Sequence, residues 1–178
     1  MKIMPSSLSV KELKRTRPER LKNFRKDFRK IAEYVIVDSA AGLGSEASCA
    51  IDIADELIIV TNPEMPAITD ALKAVKLAEL MKKPVTGIIV TRVKKDNIEL
   101  SPEVVREMLE IPILGMIPED DDVRKSISVK NAVVHSHPKS NASRAYKEIA
   151  AKLIGVPYDS DKDKEKFLTR VTKWFGLD

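Results

Sequence analysis

The stretch YVIVDSAAGLGSEASCAIDIADELIIVT, residues 34–61, decides how the rest of the chain is read. It opens with a short apolar, β-branched run, YVIV, that ends on a carboxylate, Asp38. Two glycines, Gly42 and Gly44, follow, and then a stretch of small and apolar residues (45–54) with helical character. A second apolar run, ELIIVT (56–61), closes it. Both apolar runs are continuous rather than alternating, so each is expected to be a strand covered on both faces. Strand, helix, strand with buried strands is the pattern of a parallel sheet.

The same alternation continues outward. Strand-like runs recur at TGIIVTRV (86–93) and ILGMI (113–117), with a short candidate, KIM, at 2–4. Helix-like runs lie at 66–81, 101–110, 121–129 and 141–154. Upstream, PERLKNFRKDFRKIAE (18–33) places Leu21, Phe24, Phe28 and Ile31 at helical spacing with Lys and Arg between them, and Pro18 suits a first helical position. The fold class is therefore α/β, a parallel sheet flanked by helices. In such sheets ligands sit at the carboxyl ends of the strands. Asp38, Asn62, Arg92 and Pro118 all fall at or near such ends, which points to one site.

Composition limits the setting. The 178 residues are 43% apolar, enough for a core, and Cys49 is the only cysteine, so an internal disulfide is excluded. No apolar run approaches the roughly 18 residues that span a bilayer, and no signal peptide is evident, which predicts a cytoplasmic chain. Residues 1–30 carry eleven Lys and Arg against three Asp and Glu, whereas the whole chain is only +4. A basic leading segment on a slightly acidic body is either the solvated face of a helix or a surface for nucleic acid or anionic lipid.

Asp38 has two readings on its own stretch. A carboxylate at the tip of a hydrophobic strand is how P-loop nucleoside triphosphatases hold the Mg²⁺ that bridges phosphates. Gly42 would then let a backbone N–H approach the terminal phosphate. The other reading is that Asp38 caps a helix beginning near Ser39 or Ser45.

Longer motifs carry a resemblance. DSAAGLGSEASCAIDIADELIIVTNPEMPAITDALK (38–73) resembles the Walker B and switch region of the MinD/ParA family of ATPases, and GIIVTRV, GMIPEDDDVRKS and KIMPSSLSVKELKRTRPERL extend the likeness over nearly the whole chain. The resemblance implies a P-loop NTPase-like fold over residues 1–155 and ATP with Mg²⁺ as ligands. It implies Asp38 as the indirect magnesium ligand, with Gly42, Asn62, Arg92 and Pro118 around the nucleotide. It also implies a homodimer formed on ATP and a role in membrane-associated positioning, such as division-site selection. The family's Gly-rich phosphate loop is not in these residues: there are six glycines and no G-x-x-x-x-G-K-[ST]. The chain thus reads as the later part of such a domain, missing its N-terminal strands and inactive alone. The strand that normally separates YVIVD from ELIIVT would be absent, so these two either pair directly or leave apolar edges unpaired. The family's switch proline is Ala40, and the adenine-reading Asn-Arg pair is Thr91-Arg92. The other reading is a non-catalytic binding module.

Beyond a polar linker at 156–162, DKDKEKFLTRVTKWFGLD (161–178) puts Phe167, Val171, Trp174 and Phe175 on one helical face, Leu168 beside them, and Lys166, Arg170 and Lys173 on the flank. Residues 163–178 thus have the pattern of an interfacial helix for anionic membrane, similar to the targeting helix of the family; the alternative is a last helix docked on its own domain. Smaller features are read as structural. The histidines of HSHP (135–138) are a poor chelating pair, EDDD (119–122) is helix N-terminal chemistry, and Cys49 is a packing residue.

Overall fold

The computed structural model describes residues 25–39, 42, 44–94 and 100–158. The KIM segment, the start of the first helix with Leu21 and Phe24, and the amphipathic tail at 163–178 lie outside the described residues. The elements run α1 (Arg25–Ile31), α2 (Ser45–Ile53), β1 (Leu57–Thr61), α3 (Met65–Leu80), β2 (Val85–Val93) and α4 (Pro102–Leu109). Then come β3 (Ile113–Pro118), α5 (Asp121–Ser128), α6 (Val133–Ser136) and α7 (Asn141–Ile154). The predicted strands at 56–61, 86–93 and 113–117 and the helices between them are present to within a residue or two; the single turn of α6 is an addition. The chain falls into two compact units, residues 1–57 with 73–84, and residues 58–72 with 85–178.

In the first unit α2 buries Ala47, Cys49, Ala50, Ile51 and Ile53, a face made mostly of small side chains. The final turn of an α-helix leaves carbonyls without intrahelical partners. Here Lys83 supplies donors at that end: its Nζ donates to the carbonyls of Asp52 (2.6 Å) and Ala54 (2.7 Å). Cys49 is buried and free, as a packing residue should be.

Residues 34–38 do not form the expected strand. They carry no regular secondary structure, and Tyr34, Val35, Ile36 and Val37 are all exposed, Ile36 at 93%. The physical reason lies in the pattern that suggested a strand. A run that is apolar on both sides is stable only when helices cover both faces and strands satisfy its backbone groups. Among the described residues no strand pairs with it, so neither condition is met. Of the two outcomes anticipated for YVIVD and ELIIVT, the structure shows an apolar segment left unpaired among the described residues at 34–38, whereas β1 pairs with β2.

The second unit contains the sheet, a three-stranded parallel arrangement in the order β1–β2–β3. β2 lies between the other two and is covered on both faces. On one side Ile88 and Val90 pack in a cluster with Ile68 and Ala71 of α3 and Val105 and Leu109 of α4, supported by Ile59 and Ile113. On the other, Ile89 joins Ile117 of β3, Val123 of α5, and Ala142, Ala145 and Ile149 of α7. Fully burying each Ile, Leu or Val contributes roughly 1.5–3 kcal/mol relative to exposure, so these two clusters dominate the energetics of the unit. β1 is different. Ile59 packs inward and Thr61 is buried, but Ile58 and Val60 are exposed, so only one of its faces is covered.

Helix ends are set locally. Ser101 accepts from the N–H of Val104 before Pro102, and Ser140 accepts from that of Ser143. Gly155, at φ 71°, ends α7 in the left-handed conformation that glycine adopts without a Cβ penalty. Gly115 is a glycine for another reason: a Cβ there would sit 2.4 Å from Cγ1 of Ile149, so α7 rests directly on the β3 backbone. Gly115→Ala should therefore lower stability by about 1–3 kcal/mol through overpacking. Adding Ile149→Ala should cost less than the sum of the two single changes, and a double-mutant cycle by denaturant melts checks this.

Candidate functional site

The three strands of the second unit end on Thr61, Val93 and Pro118, and the residues just before and after these ends are tied to one another. Asn62 follows β1 and precedes Pro63, which biases it away from helical backbone angles. Pro63 is buried and its carbonyl accepts the N–H of Leu100, so the turn into α3 is fastened from the α4 side. Thr91, near the end of β2, reaches across to this turn. Its Oγ1 lies 3.0 Å from Oδ1 of Asn62 and 3.2 Å from the carbonyl oxygen of Thr61. The hydroxyl therefore bridges β2 to the tip of β1.

Arg92 adopts φ 58°, the left-handed region that costs a non-glycine residue of order 1 kcal/mol or more. The strand register shifts at this point: Val90 pairs with Met116, but the next pair is Val93 with Pro118. The irregularity turns the Arg92 side chain toward the loop after β3, where Nε donates to Oε2 of Glu119 at 3.3 Å. The N–H of Glu119 donates to the carbonyl of Val93 at 2.9 Å, closing the same junction through the backbone. Asp120 then anchors that loop to two helices. Its Oδ1 accepts the N–H of Asp122, capping α5, and its Oδ2 accepts the N–H of Ala142 at the start of α7. Within the first turn of α5, a hydrogen bond from Lys125 holds the Asp122 carboxyl below the usual carboxylate range and raises Lys125.

Of the residues singled out from sequence, Asn62, Arg92 and Pro118 meet at the carboxyl ends of the strands in the second unit. Asp38 and Gly42 belong to the first unit. Asp38 is exposed on the irregular segment, and Gly42 has φ 92°, a conformation that L side chains rarely adopt. The alternative that Asp38 caps a helix is not observed: α2 starts after Gly44, which provides no side-chain cap. Sequence reading did not find the Thr91–Asn62 bridge or the Arg92–Glu119 pair, because their partners lie about thirty residues apart with no local pattern linking them. The EDDD run does act as helix N-terminal chemistry through Asp120, but its second bond, to α7, carries no sequence signal. His137 hydrogen-bonds through Nδ1 with Ser126 and Ser136 at 3.1 Å each, joining α5 to α6.

Residues 19–163 match the family model described as 4Fe-4S iron sulfur cluster binding proteins, NifH/frxC family. An uncharacterized ATP-binding protein of Methanocaldococcus jannaschii is 38% identical over 173 residues, covering 96% of this chain and 66% of that protein. The septum site-determining protein MinD of Bacillus subtilis is 29% identical over 168 residues, covering 90% of this chain and 62% of MinD. Among solved structures, MinD of Pyrococcus horikoshii in complex with Mg-ADP superposes with a TM-score of 0.78 at 24% identity, covering 83% of this chain and 60% of that one. The fold is thus that of the P-loop NTPases. The chain belongs to the NifH and MinD/ParA-type ATPase family, and it spans about two thirds or less of the length of these relatives.

The iron–sulfur cluster in the family's name does not fit these residues. Such clusters are held by four ligands, usually thiolates, and this sequence has one cysteine, buried in α2.

The strained Arg92 offers a direct test of what holds the junction. Arg92→Gly relieves the left-handed backbone while giving up an exposed ion pair worth at most about 1 kcal/mol, so stability should change little or rise. Arg92→Val forces a β-branched residue into the same region and should cost about 1–3 kcal/mol. Thermal melts of the two variants report the difference.

Proposed function

We propose that this chain forms the base side of the nucleotide site of a MinD-like ATPase that acts at a membrane surface. One observation carries this reading: Asn62, Thr91, Arg92, Pro118 and Glu119 are tied together at the carboxyl ends of three parallel strands, where open α/β sheets receive ligands. The relatives named for ATP binding and the MinD solved with Mg-ADP support the choice of ligand. In this reading Arg92 and Pro118 flank the adenine ring. Within the first unit, Asp38 would be the carboxylate available to magnesium, and Gly42 would leave a phosphate room at the backbone. Magnesium, when bound, neutralises charge on the phosphates.

The phosphate side differs. No G-x-x-x-x-G-K-[ST] loop occurs in the 178 residues, so the triphosphate lacks the amide nest and lysine that normally hold it. This favours, for these residues taken alone, a binding role without turnover. The chain should bind ATP no more tightly than AMP and show no ATP hydrolysis. Calorimetry with both nucleotides tests it; micromolar ATP binding that is lost in Asp38→Ala would overturn the reading.

Membrane attachment is assigned to residues 163–178, through Phe167, Leu168, Val171, Trp174 and Phe175. Among the described residues no helix is long and apolar enough to cross a bilayer, so attachment would be peripheral. Partial burial of these side chains at roughly 1.5–3 kcal/mol each when complete gives several kcal/mol. Lys164, Lys166, Arg170 and Lys173 add about 1 kcal/mol each near an anionic surface. Dimerisation would strengthen this weak attachment by avidity. Trp174 is the only tryptophan, so its emission in the intact chain should shift to the blue with phosphatidylglycerol vesicles at low salt. Trp174→Glu should abolish vesicle co-sedimentation. Co-sedimentation with DNA instead would favour the nucleic-acid partner that the basic leading segment leaves open.

A further inference from the structure

We propose that two copies of this chain associate without nucleotide by reciprocal strand exchange, residues 34–38 of each copy adding to the open edge of β1 in the other. Two features carry this, and each supplies what the other lacks. The first is a donor. YVIVD has the aromatic and β-branched composition of a strand, yet it carries no regular structure and Ile36 is 93% exposed. The second is an acceptor. β1 has β2 on one side and, among the described residues, no strand on the other. Its face bearing Ile58 and Val60 is uncovered as well.

An open sheet edge is normally blunted by a charge, a proline or a bulge. β3, at the opposite side of the sheet, has such protection: it ends on Pro118, and its pairing with β2 is irregular. β1 reads LIIVT, with no charge, proline or glycine. Parallel addition of YVIVD continues the direction of the sheet and gives the backbone groups of both segments partners. Tyr34 and Ile36 then share a face beside Ile58 and Val60, while Val35 and Val37 extend the side on which Ile59 packs. These six side chains, Tyr34, Val35, Ile36, Val37, Ile58 and Val60, are each more than a third exposed. Covering them on both copies removes on the order of 1,000 Å² from water, the scale of a specific interface. Within one chain the two segments do not pair, so each copy presents a donor and an acceptor together. Reciprocal exchange uses both and closes at two copies, whereas one-way addition would propagate. The association needs no ligand and no residue of the junction at the strand ends.

The test uses the intact 178-residue chain without nucleotide. It should sediment as a dimer at roughly 100 μM and dissociate on dilution. Ile36→Lys blocks the donor and Val60→Lys the acceptor, and each should raise the dissociation constant about tenfold or more. Both positions are exposed, so the variants should keep the wild-type circular dichroism, which separates a blocked contact from a lost fold. Mixing the two variants should restore part of the dimer, because one intact donor then meets one intact acceptor. With Cys49→Ala in both, an oxidised mixture of Ile36→Cys and Val60→Cys chains should give a covalent heterodimer in preference to either homodimer, since adjacent strands bring their Cα atoms within disulfide range. A chain that stays monomeric, a dimer insensitive to both lysines, or assembly that grows without limit overturns the inference. So does a disulfide that closes within a single chain carrying both cysteines, because the segments then pair at home.

Discussion

The second unit depends on keeping β2 out of water on both faces. Ile88 and Val90 point to one side and Ile89 to the other, so the strand is stable only if helices cover both. α3 and α4 answer on one face, and α5 and α7 on the other. The requirement reaches the neighbouring strands as well. β3 carries Ile117 toward α7 and gives up its side chain at Gly115, because Ile149 occupies the space a Cβ would need. A parallel strand buried in this way has its polar chemistry pushed to its end, and that is where Thr91 and Arg92 sit.

The ends of the strands are held more tightly than exposed loops usually are. A hydroxyl bridges β2 to the β1 turn, an ion pair and a backbone hydrogen bond bridge β2 to the β3 loop, and one aspartate fastens that loop to two helix N-termini. Arg92 stays in a left-handed conformation because the register shift and these bridges together determine its backbone. The strain is kept where the three strands converge.

β1 and residues 34–38 show the opposite case. Both are rich in apolar residues, yet Ile58 and Val60 are exposed on β1, and YVIV is exposed along its whole length. Such surfaces are costly in water and are normally covered by neighbouring strands and helices.

The sequence by itself determined the alternation of strands and helices, the parallel class of the sheet, and the convergence of Asn62, Arg92 and Pro118 on one end. It did so because burial on both faces writes continuous apolar runs, and these three residues fall at the ends of those runs. One helix start was legible too: the acidic run at 119–122 caps α5 through Asp120, in a bond spanning two residues. Only the tertiary structure decided that YVIVD is not a strand here, because a strand is a property of its neighbours and not of its own side chains. It also decided that Thr91 donates to Asn62, that Glu119 pairs with Arg92, and that Asp120 reaches Ala142. Each of those contacts joins residues some twenty to thirty positions apart, and only the stacking of the strands brings them within hydrogen-bonding distance.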